Sequence, residues 1–154
     1  MSEIDSNTEI QVSHVLDRYK NHLEFIGYLV EEDGETSIFA KHHRKENLRI
    51  LKFGGDIGVL ARLTYAFPAR FNLDPIPLYI YANDLNNQFY FMKACVSSFT
   101  EGGYFLCMDS VLEGGYDRRN FSIFLDNIER DLNVFNDYIK TKDVFCQDEG
   151  GENS

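Results

Sequence analysis

"PLYIYANDLNNQFYFMK", residues 77–93, decides how the rest of the chain is read. As a strand it would join the strand-like stretches on either side; as a helix it divides them. Four amides (Asn83, Asn86, Asn87, Gln88) and Asp84 sit among Tyr81, Leu85, Phe89, Tyr90, Phe91 and Met92. Alternation fails through "NDLNNQ". Instead Leu78, Tyr81, Leu85, Phe89 and Met92 recur at spacings of three and four, which is one face of a helix. Pro77 suits a helix start, where its missing N–H costs nothing. The amides then fall mostly on the wet face. No base or nucleophile accompanies them, so a catalytic amide cluster is the weaker reading.

The segments before it change period once. "SNTE" (Ser6–Glu9) is a capping-box pattern. Val12, Val15, Leu16, Tyr19, Leu23 and Ile26 follow at helical spacing, and Gly27 fits the residue just past a helix end. This predicts a first helix over 7–26 after a disordered stretch 1–6. From 28 to 67, "YLVEE", "TSIFAKHH", "NLRILKF" and "VLARLTYAF" read as short strands. In the last, Val59, Ala61, Leu63, Tyr65 and Phe67 share one face; Leu60, Arg62, Thr64 and Ala66 share the other. An antiparallel meander with one face on a core follows. All three prolines (Pro68, Pro75, Pro77) lie in "PARFNLDPIP", which must be a crossing segment.

The segments after it form a hairpin and a helix. A two-residue turn at Gly102-Gly103 would set Glu101 opposite Tyr104 and Ser98 opposite Cys107. Phe99, Leu106, Met108 and Leu112 would then share a face with Cys95. Val96, Phe105, Cys107 and Val111 would share the other, so Cys95 and Cys107 could not bridge. A turn of odd length reverses this parity. Both faces are apolar, which calls for a cover of loops or a partner on the second. Asn120 is read as the cap of a last helix carrying Phe121, Phe124, Leu125, Ile128, Leu132, Phe135 and Ile139, running to about 141. Residues 142–154, ending in "QDEGGENS", read as a disordered acidic tail. The expected fold class is α+β: an antiparallel sheet of about five strands with helices packed on it, order α-β-β-β-α-β-β-α, in one domain over 7–141.

Composition removes several functions. The 154 residues carry 15 Lys plus Arg against 25 Asp plus Glu, a formal net charge of −10. Phosphate-led nucleic-acid binding needs clustered cations, and an anionic membrane surface is equally disfavoured. No stretch is long and apolar enough to span a bilayer, and the N-terminus lacks a secretory pattern. Three cysteines suit a reducing cytoplasm better than a disulfide framework. His14 and His22 are eight apart on one helix, and His42 and His43 are adjacent, facing opposite ways on a strand; neither pair has metal-ligand spacing. "FGGDIGVL" lacks the residues of a phosphate loop. There is no Gly-x-Ser-x-Gly elbow. No catalytic, cofactor-binding or metal-binding residue is therefore assigned.

Taken with this order of elements, "NDLN … FYFMKACVSSFTEGGYFLCMDSVLEGG … NFSIFLDNI" resembles the YbjN domain family. Its members are labelled bacterial sensory transduction regulators and share the fold of type III secretion chaperones. The resemblance covers about residues 10–140. It rests most on Leu85-Asn86, Phe89 and the glycine-turn hairpin. It implies a domain that often pairs with a second copy as a homodimer, and a protein-binding or regulatory role without enzymatic activity. On the chain's own residues, the candidate partner-binding set is Tyr81, Asn86, Phe89, Val96, Phe105 and Val111, facing a protein partner or client polypeptide. The alternative is a small-ligand sensor or cryptic enzyme with a pocket between the second helix and the sheet, near Tyr81, Asn86 and Phe105.

Overall fold

The computed structural model describes residues 13–55 and 57–146. Along the chain run α1 (Asp17–Phe25), β1 (Leu29–Glu32), β2 (Ser37–Lys41), β3 (Leu48–Phe53), β4 (Gly58–Ala66), a 3-10 turn (Ala69–Phe71), α2 (Ile76–Gln88), β5 (Lys93–Ser98), β6 (Tyr104–Glu113), α3 (Arg118–Asp137) and α4 (Ile139–Phe145). The α+β class is as expected, but the sheet has six strands rather than about five, because "YLVEE" forms a true edge strand. Every pairing is antiparallel, in the order β1-β2-β3-β4-β6-β5.

One apolar cluster joins the helices to one face of this sheet. Leu16, Tyr19 and Leu23 meet Leu78, Tyr81 and Leu85 of α2 and Phe121, Phe124, Ile128, Leu132 and Phe135 of α3. Beneath them lie Ile38, Ile50, Ala61, Leu63, Leu106 and Met108. The alternation read in "VLARLTYAF" holds: Val59, Ala61 and Leu63 are buried, while Leu60 and Arg62 are half-exposed. Burying such a set removes about 1.5–3 kcal/mol of solvent cost per large side chain.

The helices begin and end differently from expectation, each for a local reason. The Ser6–Glu9 pattern lies outside the described residues. Within them the first helix opens only at Asp17, where the chain turns: His14 C=O accepts from Asp17 N–H at 3.0 Å, and His14 Nδ1 accepts from Leu16 N–H at 3.1 Å. Gly27 closes it at φ +104, as its position predicted. α2 starts with Pro77 in its first turn and stops at Gln88. Phe89 and Met92 stay buried, but off the helix. What stops it is Asp131 of α3, fully buried. Its carboxylate accepts the N–H groups of Tyr90 (3.1 Å), Phe91 (2.7 Å) and Met92 (2.8 Å), and Arg130 Nη1 at 2.6 Å. Ser110 of β6 donates to Phe91 C=O at 3.0 Å and ties the same turn to the sheet. Asn86 then pins α2 to β5. Its amide donates to Ala94 C=O at 2.8 Å and accepts from Ala94 N–H at 2.7 Å. An edge strand's backbone is thus satisfied by a side chain in place of another strand.

The hairpin corrects the expected register. Ser98 pairs with Tyr104 and Cys95 with Cys107. Phe99 N–H donates to Gly103 C=O at 3.0 Å, closing a three-residue loop in place of a two-residue one. Gly102 and Gly103 take φ +97 and +90, a conformation other residues resist. The odd length reverses the parity, so Val96 joins Leu106 and Met108 on the core side, while Cys95 shares the other face with Cys107, Phe105 and Val111.

The last helix is capped by Asp117, whose carboxylate accepts Asn120 N–H at 2.8 Å; Asn120 is the capped residue and not the cap. α3 ends at Asp137 rather than near 141. Tyr138 turns extended (φ −67°, ψ 123°) and α4 follows, so residues 142–145 are helical and not part of a disordered tail. Two contacts dock them. Phe145 stacks on Phe67 with centroids 5.1 Å apart, and Arg70 donates to the C=O groups of Asp143, Val144 and Cys146 at 2.7–2.9 Å. The expected tail beyond Cys146 lies outside the described residues. His42 and His43 also differ from expectation. They lie beyond the end of β2 and stack on each other, centroids 4.7 Å apart, and His42 Nδ1 accepts the N–H groups of Arg44 and Lys45 to close the β2–β3 turn.

Two expectations follow. Asp131→Ala leaves three N–H groups, one buried and two part-buried, without an acceptor and should cost about 1–3 kcal/mol, read as a Tm lowered by roughly 2–4 °C per kcal/mol. Asp131→Asn, keeping one acceptor, should cost less. A loss below about 1 kcal/mol in urea denaturation of Asp131→Ala would show that the turn holds itself. Arg70→Met should free α4 alone: amide exchange at residues 139–146 should quicken while the protection of β4 and β6 is unchanged.

Candidate functional site: the open face of the sheet

Since α1–α4 share one face, no element among the described residues covers the other. The pleat writes that face as rows running across strands. Leu51, Leu60 and Val111 are successive partners across β3, β4 and β6. The next row is Arg49, Arg62, Asp109 and Lys93. Then come Thr64, Cys107 and Cys95, followed by Ala66, Phe105 and Ser97. Phe39 completes the face on β2, with the Arg49 guanidinium 5.1 Å from its ring centre. Phe105 packs on Phe99 of the hairpin loop, centroids 4.6 Å apart.

The charged row is organised by one bidentate pair. Arg62 Nε donates to Asp109 Oδ1 and Nη2 to Oδ2, both at 2.9 Å. The hydrogen bond to Asp109 raises the Arg62 pKa above its already high value. Asp109 is only 8% exposed, although it faces the side without helices. Cys107 Sγ also donates to Asp109 Oδ1 at 3.4 Å. Burial pushes the Cys107 thiol up to about 12, with the Asp109 charge adding to it.

The six sequence-derived partner residues divide. Val111 (50% exposed) and Phe105 lie on the open face. Val96 points to the core side. Tyr81 is buried, its hydroxyl 2.6 Å from Thr141 Oγ1, and burial pushes its phenol up to about 12. Phe89 is buried beside the Asp131 turn, and Asn86 is spent on Ala94. The expected pocket near Tyr81, Asn86 and Phe105 is not formed. Leu78, Tyr81, Ala82 and Leu85 fill the space between α2 and the sheet, and Phe105 lies on the far face. Sequence reasoning missed Leu51, Leu60, Phe39 and the Arg62–Asp109 pair. Alternation in β4 put Leu60 and Arg62 on one face, but nothing local announces that β4 pairs with β6 rather than with β5.

A second feature lies on the helical side. A cleft of about 310 Å³ runs between α3 and the β2–β3 turn, lined among others by His22, Tyr28, Lys45, Glu129 and Asn133. Lys45 Nζ reaches Glu129 Oε2 at 3.4 Å within it. Burial, with Glu129 beside it, pushes the Tyr28 phenol up to about 12. His22 is held between Tyr116 Oη (2.9 Å from Nδ1) and Ser122 Oγ (3.2 Å from Nε2), and burial, then Arg118, lowers its pKa. The chain's visible work is to join α1 to α3 and the loop before it. Among the described residues no three or more His, Cys, Asp and Glu side chains gather to hold a metal ion, and no helix is long and apolar enough to cross a membrane.

No protein-family model matches the sequence, and no curated protein matches it. Among solved structures it is similar to one described as "Crystal structure of YbjN, a putative transcription regulator from E. coli", with a TM-score of 0.62 and 16% identity over 77% of this chain and 86% of that one. At that identity the likeness is one of architecture. The fold of this chain is YbjN-like.

Proposed function

We propose that the chain is a noncatalytic protein-binding module with a regulatory role, which takes a polypeptide partner on the open face of its sheet. The observation that carries this reading is the Leu51–Leu60–Val111 row, which no described element covers while the described helices pack on the opposite face. A flat apolar row beside an ion pair gains from burial against another chain. The row itself lies outside the concavity of about 280 Å³ that Phe39, Arg49, Arg62 and Thr64 line beside it. The occupant that fits is an extended segment with apolar side chains for the row and polar ones over the Arg49, Arg62, Asp109 and Lys93 row beside it. The YbjN likeness adds a regulator as a precedent at the level of fold. A cytoplasmic setting goes with this reading, since it keeps the three free thiols reduced. The small-ligand alternative would have to use the α3 cleft instead of α2.

Val111→Asp and Phe105→Asp each place a carboxylate on the face without touching the core. Both should abolish capture of the partner from native lysate while leaving stability within about 1 kcal/mol. A photo-crosslinker at residue 60 should join that partner through an extended apolar segment. Equal capture by wild type and both variants would overturn the proposal. So would a lone monomer in solution scattering with no partner recovered. Self-association of the wild type, lost in both variants, would assign the face to a second copy of this chain instead of a client.

A further inference from the structure

The observed register brings together two thiols that the sequence alone separates. Cys95 and Cys107 are directly opposed partners on β5 and β6. The kind of pair they make follows from Asn86. Its amide takes both the N–H and the C=O of Ala94, so Ala94 turns its backbone away from β6. Its neighbour Cys95 therefore turns its backbone towards β6. In an antiparallel ladder this makes Cys95–Cys107 a hydrogen-bonded pair, with Cα atoms about 5.5 Å apart. That separation lies within the range of about 4.4–6.8 Å that a disulfide spans. Both side chains rise on the open face, which no described helix covers. A bridge there must draw the Cβ atoms closer than the ladder sets them, so it would be strained and easily reduced.

The two sulfurs differ in access. Cys95 is exposed and Cys107 is buried. Cys107 already donates its proton towards Asp109 Oδ1 at 3.4 Å, and Arg62 holds that carboxylate in place. The third cysteine, Cys146, sits past the end of α4 against Asp143 C=O, on the docked helix and not on this face.

We infer that Cys95 and Cys107 form a reversible dithiol–disulfide site, oxidised by peroxide, in which Cys95 reacts first and Cys107 resolves it. The Cys95 thiolate attacks one peroxide oxygen, the O–O bond breaks, and hydroxide leaves to become water, giving a sulfenic acid. The Cys107 sulfur then attacks the Cys95 sulfur. The S–S bond forms, the S–O bond breaks, and the Cys107 proton passes by way of Asp109 to the leaving hydroxide, which departs as a second water. In sum, two thiols and one peroxide give one disulfide and two waters. Burial keeps Cys107 protonated, and so unreactive, until its neighbour becomes an electrophile. This inference rests on the β5–β6 ladder and stands apart from the partner-binding proposal.

The test is peroxide titration of the reduced full-length chain, read by intact mass and non-reducing peptide mapping. Wild type and Cys146→Ser should both lose two hydrogens and yield a Cys95–Cys107 cross-linked peptide, and dithiothreitol should restore the starting mass. Cys107→Ser, or Cys107→Ala should serine loosen the hairpin, should stop at a Cys95 sulfenic acid that dimedone captures. Cys95→Ser should slow oxidation of Cys107 by about tenfold or more, since the buried thiol carries little thiolate. Overturning results would be over-oxidation of Cys95 in the wild type without a bridge, a bridge to Cys146, or a Cys95–Cys107 bridge that appears only in urea.

Discussion

The carboxylate of Asp131 fixes more of this structure than any apolar contact does. A buried charge is expensive to desolvate, and it persists only where enough donors surround it. Here three consecutive N–H groups and the neighbouring guanidinium of Arg130 supply them. Arg130 also lies 3.7 Å from the Tyr90 ring centre and donates to Gln88 C=O, so the last turn of α2 and the residues after it are gripped from both sides. Three donors in a row can converge on one carboxylate only if the chain leaves the helix there. Asp131 thus ends α2, sets the angle at which β5 enters, and lets Asn86 meet Ala94. An apolar residue at 131 could fill the same volume, but it would not select that one turn.

What was legible in the sequence, and what was not, follows from the range of the deciding interaction. The stripe Leu78, Tyr81 and Leu85 and the alternation of β4 were legible because helix and strand periods are local. Gly27 and Pro77 were legible because their backbone constraints are their own. The end of α2 was not, because its determinant lies some forty positions away on α3. The hairpin parity turned on one residue of loop length, since Gly102-Gly103 is compatible with a two- or a three-residue loop and the pleat converts that difference into a complete exchange of faces. The helical segment after Tyr138 was missed because its support, Arg70 and Phe67, comes from the crossing segment that prolines had marked only as irregular. The candidate site was half legible for the same reason. Val111 and Phe105 could be named from alternation. Their neighbours Leu51, Leu60 and Arg62 could not, because the β4–β6 pairing spans α2 and β5.

A sheet with two edges and one face that no described element covers invites indiscriminate pairing, and this chain limits it in specific ways. Asn86 occupies the outward N–H and C=O of Ala94 on the β5 edge. β1, at the other edge, is only four residues long and carries Glu31 and Glu32. Short, charged or capped edges resist strand addition. The open face itself is interrupted by Arg62 and Asp109, whose pairing lets two charges sit between apolar rows at small desolvation cost. A surface so divided does not favour stacking on just any flat apolar sheet. It suits a segment that sets apolar side chains on the Leu51–Leu60–Val111 row and polar ones over the pair.

The thiols and the apolar row occupy the same pleat of β6. Cys107, Asp109 and Val111 alternate with Leu106, Met108 and Ser110, so the first three must rise together. A polypeptide seated on Val111 and Leu60 therefore lies four residues from Cys107 along the strand, with Asp109 between them on the same face. Cys95, one strand further out, is the more accessible sulfur only while that side of the sheet is bare. The apolar row and the thiol row lie on one face, two rows apart, with the Arg62–Asp109 pair between them. A cross-strand bridge that draws β5 towards β6 changes the pleat on which Phe105 stands. That effect needs no conformational change elsewhere, because the register places the Cys95–Cys107 and Ser97–Phe105 pairs side by side.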